Sequence, residues 1–186
     1  MNNSPQEIGF SSRAFSFFLL SFLVFIIYSN TFNASWQMDD RPNIVDNPGL
    51  RIDNLMPDSL WGTFFANQGK THALFRPLPC LTFALNWYAG RDNPFGYHVV
   101  NLGLHIATAW ALYLLMMRLL AVLKNSRDKI DSNGSVTSGN VALLAALLWA
   151  VNPIQTQAVT YIVQRMAIME TLFYVMGMTA FVQARI

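Results

Sequence analysis

Residues 14–32 read AFSFFLLSFLVFIIYSNTF, a long run without a charged side chain. An α-helix of this length, rising about 1.5 Å per residue, nearly spans the roughly 30 Å hydrocarbon core of a bilayer. A cleaved signal peptide is the alternative interpretation, but Phe32 breaks the small-residue pattern that would precede a cleavage site at Ala34. The run therefore predicts a retained signal-anchor helix, with residues 1–13 as a cytoplasmic N-terminus.

The composition of the whole chain also indicates a membrane protein. Apolar residues make up 53% of the sequence and charged residues only 12%, whereas a soluble domain carries about 25% charged residues. The 12 Lys and Arg residues nearly balance the 10 Asp and Glu residues, which argues against a nucleic-acid-binding surface. The single cysteine, Cys80, excludes a disulfide framework and a cysteine-based zinc site.

Three further apolar runs follow, at residues 97–122, 140–152 and 166–184. Residues 123–139 form a short polar loop with several Lys and Arg side chains, so the positive-inside rule places this loop in the cytoplasm. The chain is thus predicted to cross the membrane four times, with both ends inside. In this topology as many basic residues fall outside as inside, and an anionic substrate on the outer side is one reason for such a distribution.

Residues 33–96 form the long outer segment of this topology. They are rich in Asp, Pro and Gly, which interrupt long helices. Two short stretches within the segment, residues 59–65 and 78–87, are apolar and aromatic, and we expect them to lie at the membrane interface or to dip into the outer leaflet. The predicted fold class is an all-α membrane protein with about four transmembrane helices and a long outer first loop that carries short interfacial helices.

The first polar grouping on the outer side is the pair Asp39 and Asp40, at the end of the stretch WQMDD. A carboxylate at the membrane surface can act as a general base toward an attacking hydroxyl group. Two adjacent carboxylates can also raise each other's pKa or bind a divalent cation. The alternative is a solvated loop with no chemical role.

The second grouping is a polar stripe in the run 97–122, formed by His98, Asn101 and His105. At about 100° per residue these side chains share one helical face. Polar groups are costly against lipid, so the stripe should face protein or a wet cavity. Two interpretations stay open, a site lining and a set of hydrogen bonds between helices. A metal site is disfavoured because no third strong ligand lies on the stripe.

The third grouping lies in residues 152–165 and ends at Arg165. One helical face of this stretch collects Gln157, Tyr161 and Gln164. Amide donors, a phenol and a guanidinium suit a phosphate or pyrophosphate at the lipid surface. Arg76 is a further outward cation. For both arginines the alternative is an arginine that extends from a helix end to the membrane surface.

The order of these motifs resembles a known family. The acidic pair is followed by FRPL at residues 75–78, by GYHVVNLGLH at 96–105, and by the stretch from Asn152 to Arg165. The chain from about residue 15 onward resembles the N-terminal part of the GT-C membrane glycosyltransferases. Within them it is most similar to the transmembrane-and-tetratricopeptide O-mannosyltransferases and their bacterial relatives, so residues 14–186 are expected to form a partial GT-C-like transmembrane domain.

The resemblance implies an inverting transfer of a sugar from a polyprenyl- or dolichyl-phosphate donor to a protein or glycan acceptor on the outer or luminal face. Asp39 or Asp40 would deprotonate the acceptor, and Arg165, with Arg76 as second choice, would face the carrier phosphate. The side chains expected to line the site are His98, Asn101, His105, Gln157, Tyr161 and Gln164. No cofactor is implied with certainty; a divalent cation at Asp39 and Asp40 is possible.

The sequence departs from the family pattern in two respects. Asn152, Gln155 and Gln157 stand where many members have His or Glu. The Gln form resembles the bacterial branch, so the bacterial cytoplasmic membrane is the favoured location, or the endoplasmic reticulum membrane in a eukaryote. The chain also stops after four predicted crossings, whereas family enzymes have more, followed in this branch by tetratricopeptide repeats. We therefore expect a truncated form that is inactive by itself.

Two other functions are compatible with the residues. A non-catalytic scaffold or assembly module would keep the helices of the family without its activity. A small transporter would use the polar stripes to line a pathway. The transporter is disfavoured because nearly all polar groups fall on the outer side of the predicted topology.

Overall fold

A computed structural model of the protein describes residues 10–66, 74–127 and 138–185, and all regular structure in these ranges is helical. Most of the predicted cytoplasmic loop 123–139 and most of the N-terminus 1–13 lie outside the described residues. The α-helices are α1 (Phe10–Tyr28), α2 (Pro57–Gly62), α3 (Pro77–Gly90), α4 (Pro94–Arg127), α5 (Ser138–Ala150), α6 (Gln155–Thr160) and α7 (Arg165–Arg185).

Within the described residues, three helical stretches are long and apolar enough to cross a membrane: Arg13–Asn33, Pro94–Leu123 and Ile162–Arg185. Helix α5 is apolar but has only 13 residues, about 20 Å at 1.5 Å per residue, which is shorter than the roughly 30 Å hydrocarbon core. The predicted all-α membrane fold is confirmed. The four-crossing topology and its boundaries stay a prediction.

Helix α4 is longer than the predicted span 97–122, and local sequence explains where it begins. Asn93 accepts a hydrogen bond from the backbone N–H of Phe95 through its side chain (3.0 Å), as an N-cap residue does. Pro94 occupies the first turn, where its missing N–H costs nothing. No further proline occurs in α4, so nothing local ends the helix before Arg127.

The chain divides into two compact units. The first comprises Met1–Ile27, His105–Asn152 and Thr171–Ile186. Within it the aromatic rings of Phe17 and Trp110 meet edge to face, with centroids 4.1 Å apart.

Helix α5, in the same unit, buries a stripe of small residues: Gly139, Ala142, Ala146 and Ala150. Small side chains at this spacing allow close approach of a neighbouring helix in a membrane protein.

The second unit comprises Tyr28–Leu104 and Pro153–Glu170. Its apolar core includes Ile44, Leu50, Ile52, Phe83, Ala84, Tyr97 and Ile162. This unit holds every predicted site residue except His105, so the other residues of the candidate site lie within one unit.

The outer segment of the second unit is built from short helical turns, as predicted. The π-helical turn Arg41–Val45 follows the acidic pair, and the 3₁₀ turns Pro48–Leu50 and Thr63–Phe65 come after it. The predicted short stretch 59–65 is helical, and its Trp61 is 61% exposed. Contact of this segment with a membrane interface stays a prediction.

Candidate functional site

The two adjacent aspartates have opposite surroundings. Asp39 is exposed, whereas Asp40 is 0% exposed. Met38, directly before them, has a positive φ of 27°, a backbone conformation that is uncommon outside glycine. Residues in such conformations cluster at functional sites.

Asp40 uses both carboxylate oxygens to hold backbone groups. Oδ2 accepts the N–H of Gln37 (3.0 Å), and Oδ1 accepts the N–H of Val163 (2.7 Å), which lies 123 positions away in sequence. Burial raises the pKa of Asp40 above the ordinary value, and the backbone N–H groups of Gln37 and Val163 oppose that shift. Asp40 thus attaches the loop to the segment before α7.

Asp39 is held through its backbone instead. Its N–H donates to the phenol oxygen of Tyr161 (3.0 Å), and its carbonyl oxygen accepts the side-chain N–H of Asn43 (2.7 Å). Partial burial and the nearby Asp39 carboxylate raise the pKa of the Tyr161 phenol. The carboxylate of Asp39 therefore sits at the surface on a backbone that is fixed from both sides, which suits a general base.

Arg165 is enclosed within the second unit, with 0% of its surface exposed. The guanidinium donates to Oδ1 of Asn101 (2.7 Å), to Oγ1 of Thr82 (3.1 Å) and to the carbonyl oxygen of Tyr97 (3.0 Å). It also lies over the ring of Phe83, 4.5 Å from the centroid. Within the described residues it forms no ion pair. A buried cation needs such hydrogen bonds to be tolerated, and with 0% of its surface exposed Arg165 does not reach an external phosphate in this structure.

Asn101 connects Arg165 to the backbone just before α7. Its Oδ1 accepts from Arg165, and its Nδ2 donates to the carbonyl oxygens of Ile162 (3.2 Å) and, at the distance limit, of Val159 (3.5 Å). Asn101 thus holds, from the other side, the same short segment whose Val163 N–H binds Asp40.

His98 holds the segment between α1 and the acidic pair. Its Nε2 lies 3.1 Å from the carbonyl oxygen of Ala34, which can only accept, so Nε2 donates. Its Nδ1 lies 3.3 Å from the hydroxyl of Thr31. In the neutral tautomer that follows, Nδ1 accepts the hydroxyl proton.

The expectation that the polar stripe is sheltered is confirmed, since His98, Asn101 and His105 are 0%, 0% and 1% exposed. His105 belongs to the first unit. There its Nε2 bonds to the carbonyl oxygen of Ala150 (2.9 Å), and its ring stacks on Trp149. In both units the stripe makes the interhelical and loop-holding bonds that were one of its two interpretations.

Arg76 is the exposed arginine of the site. It precedes α3 in a left-handed conformation with φ of 44°. Its Nη1 bonds to Sδ of Met166 (2.7 Å), and its guanidinium lies over the ring of Phe75, 5.4 Å from the centroid. It makes no ion pair within the ranges that the structure covers. An exposed cation without a carboxylate partner is free to meet an anion.

The other predicted lining residues lie at the edge. Gln157 is exposed and Gln164 is half-buried. Sequence reasoning missed Asn43, which bonds to Asp39, and Thr82, which bonds to Arg165. Asn43 was the more detectable of the two, because it follows Asp39 by one helical turn in a segment rich in turn-forming residues.

A metal site is not apparent among the described residues, which contain no cluster of three or more His, Cys, Asp or Glu side chains placed to hold an ion. Asp40 uses each of its oxygens for a backbone N–H, and Asp39 faces outward. The pair therefore fits a shared divalent cation poorly.

Comparison with known proteins identifies relatives of the chain. The protein O-mannosyl-transferase Tmtc1 of Drosophila melanogaster is 35% identical over 161 residues, which cover 84% of this chain and 17% of that protein. The chain is a homologue of the TMTC protein O-mannosyl-transferases. Tmtc3 of Drosophila melanogaster is 30% identical over 190 residues, covering 98% of this chain and 20% of the relative.

The TMTC similarity extends to vertebrates. TMTC4 of Mus musculus is 29% identical over 172 residues, covering 89% of this chain and 22% of the relative. The chain thus spans only about a fifth of the length of these TMTC relatives. No family model matches the chain, and no solved structure does. The predicted resemblance to the TMTC enzymes is confirmed.

Proposed function

We propose that the chain provides the acceptor side of the active site of a membrane O-mannosyltransferase-like enzyme. Its relatives are named protein O-mannosyl-transferases. A hexose, mannose in the first instance, moves from a polyprenyl- or dolichyl-phosphate donor to a hydroxyl group of a protein or glycan acceptor. The observation that carries the proposal is the exposed carboxylate of Asp39 on a backbone fixed by Tyr161 and Asn43.

Asp39 acts as the general base in this proposal. Its carboxylate takes the proton of the acceptor hydroxyl as the acceptor oxygen attacks C1 of the sugar. The bond between C1 and the phosphate oxygen breaks, and the carrier phosphate leaves with the electron pair. The configuration at C1 is inverted. A base of this kind contributes about 10²–10⁴-fold to the rate.

Asp40 is a positioning residue. Its bonds to Gln37 and Val163 fix the loop that carries Asp39, and both of its oxygens already accept backbone N–H groups. The proposed step does not use a divalent cation, because Asp39 and Asp40 fit one poorly.

Arg76 is the better candidate for the carrier phosphate, and the order of the two arginines expected from the sequence is reversed in the proposal. Arg76 is exposed and forms no ion pair among the described residues. Its guanidinium suits the oxygens of a phosphate and the charge that develops on them. Arg165 is enclosed and already bonded.

The location is part of the proposal. The Gln155 and Gln157 form favours a bacterial cytoplasmic membrane, with the acceptor on the outer face. The relatives described above come from animals. The equivalent placement in a eukaryote is the luminal face of the endoplasmic reticulum membrane.

The test compares Asp39→Asn with Asp58→Asn, which removes an exposed carboxylate elsewhere in the outer segment. Sugar transfer from a mannosyl polyprenyl phosphate is measured in membranes at equal protein levels, with each substitution made in the enzyme of which the chain forms the acceptor side. We expect Asp39→Asn to lose about 10²–10⁴-fold in rate and Asp58→Asn to keep the parental rate. Equal rates for both variants would overturn the assignment. Absence of transfer by the parent, with intact membrane insertion, would favour the scaffold.

A further inference from the structure

A cavity of about 160 Å³ lies within the second unit, and its lining includes Asn43, which bonds to the backbone of Asp39. Its walls come from the π-helical turn Arg41–Val45, from α3, from the start of α7 and from the segments between them. Concave pockets with a few convergent polar groups are where small molecules bind, so this cavity is a candidate binding site.

One wall of the cavity carries amide groups. Asn47 is fully used: its Nδ2 donates to the carbonyl oxygens of Asn43 and Ala66, and its Oδ1 accepts the N–H of Gly49. Asn43 donates its Nδ2 to Asp39, and within the described residues no donor reaches its Oδ1. The wall is thus rigid at Asn47 and keeps one acceptor for an occupant at Asn43.

The other walls are apolar or only weakly polar. They are formed by Leu50, Ala66, Phe75, Cys80 and Met166. An aromatic face attracts the polarised C–H bonds of a ring that packs on it. An occupant with hydroxyl groups on one side and C–H groups on the other matches this lining.

Two residues that line the cavity bond to the two residues of the proposed reaction. Asn43, on one wall, bonds to the backbone of Asp39 (2.7 Å). Met166, on another wall, accepts a hydrogen bond from Arg76 (2.7 Å). Asp39 and Arg76 are therefore each one hydrogen bond away from a residue of the cavity lining.

We propose that this cavity, on the basis of the proposed function, receives the pyranose ring of the transferred hexose. Pockets for drug-sized ligands measure about 300–1,000 Å³, so 160 Å³ suits a single ring and not the isoprenoid carrier. Asn43 accepts a ring hydroxyl, and Phe75 packs against the C–H face. Asn43 and Phe75 are then specificity-determining residues for the donor sugar.

The rate at which a thiol reagent modifies Cys80 can report whether the cavity is occupied. It is the only cysteine of the chain and lies in the cavity wall. Its thiol donates to the carbonyl oxygen of Phe75 (3.2 Å), and burial raises its pKa to about 11, against the opposing effect of Arg76. The thiolate is the reactive form, so a small methanethiosulfonate reagent should modify Cys80 slowly and only through the cavity.

The experiment measures the rate of Cys80 modification in the chain reconstituted into nanodiscs, with three probes: methyl α-mannoside, a mannosyl polyprenyl phosphate, and the same polyprenyl phosphate without sugar. At about ten times its Kd a sugar-bearing probe should slow modification on the order of tenfold, because only the unoccupied fraction reacts. The carrier without sugar should not slow it. A Cys80→Ala, Asp58→Cys variant places the thiol on the exposed helix α2 and should show no protection.

Two results would overturn the inference: no protection by either sugar-bearing probe, or equal protection by the carrier without sugar. Substitution of Asn43 by Leu in the Cys80-containing chain should abolish protection, while modification after denaturation stays complete. The Asp39→Asn variant separates the two proposals. It should lose transfer and keep protection, so unchanged transfer would defeat the general base while leaving the cavity inference to its own test.

Discussion

The Nε–H of Arg165 donates to Oδ1 of Asn101 over 2.7 Å, and both side chains are 0% exposed. The side-chain Nδ2 of Asn101 in turn donates to the carbonyl oxygens of Ile162 and Val159. The next residue, Val163, donates its N–H to Asp40. A buried cation is therefore joined, through one amide and one stretch of backbone, to the loop that carries the proposed base.

Asn101→Ala should destabilise the protein. The substitution removes the acceptor of a buried charged donor and leaves backbone carbonyl oxygens without their amide partner, and each such loss costs about 1–3 kcal/mol. The midpoint of thermal unfolding in detergent measures the effect. Val99→Ala, on the exposed side of the same helix, is the control and should change little. Equal midpoints for the two variants would contradict the described role of Asn101.

Substitutions of Arg76 and Arg165 should have different effects on the KM for the donor. Arg76→Gln should raise KM for the lipid-phosphate donor, because it removes a charge that meets the substrate. Arg165→Lys should lower the unfolding midpoint and leave the donor KM unchanged in the folded fraction, because lysine cannot reproduce the fork that reaches Asn101, Thr82 and Tyr97. A donor KM that rises for Arg165→Lys but not for Arg76→Gln would contradict this prediction. Arg165 would then be the better candidate for the carrier phosphate, as expected from the sequence.

Asp40 predicts a pH dependence of stability. Its pKa is raised in the folded protein, first by burial, so the folded state binds the proton more tightly than the unfolded state does. The contribution of Asp40 to stability is therefore largest at low pH and decreases as pH rises from about 4, the ordinary pKa of Asp, through the raised value. Relative to Asp40→Asn, the parent should lose stability across this window. The midpoint of thermal unfolding of the parent and of Asp40→Asn, measured as a function of pH, gives this difference. A difference between the two proteins that grows as the pH falls below the window would contradict the prediction.

Gly49→Ala should be destabilising for steric reasons. A Cβ at this position would lie 2.8 Å from Cβ and 3.0 Å from Cα of Ala66, closer than such atoms pack. Forced overpacking of this kind costs about 1–3 kcal/mol. Adding Ala66→Gly should recover part of the loss, since it removes the closer atom. Gly62→Ala is the control, because its Cβ would meet no atom within 4 Å.

The four-crossing topology can be tested with reporter fusions. We expect a reporter at Asn133 to be cytoplasmic and one at Gly69 to be on the outer side, from the basic loop 123–139 and the long segment 33–96. Both positions lie outside the described residues. An outer reporter at Asn133 or a cytoplasmic reporter at Gly69 would contradict this topology.

The sequence by itself determined the elements of this protein. Apolar runs of sufficient length produce helices wherever they occur, because hydrocarbon leaves no other way to satisfy the backbone. The four apolar runs accordingly lie mostly in helices α1, α4, α5 and α7. The sequence also required the stripe of His98, Asn101 and His105 to be sheltered, since three polar groups on one face are costly in lipid.

Only the tertiary structure decided which aspartate of the acidic pair, and which of the two candidate arginines, is exposed. Asp39 and Asp40 are adjacent and chemically identical, and the bond that turns Asp40 inward comes from Val163, 123 positions away. Arg165 and Arg76 both looked like phosphate ligands, yet Thr82, Tyr97 and Asn101 enclose the first and leave the second at the surface. Local patterns specify helices through nearby residues, whereas the exposure of one side chain depends on partners that are brought together only by the fold.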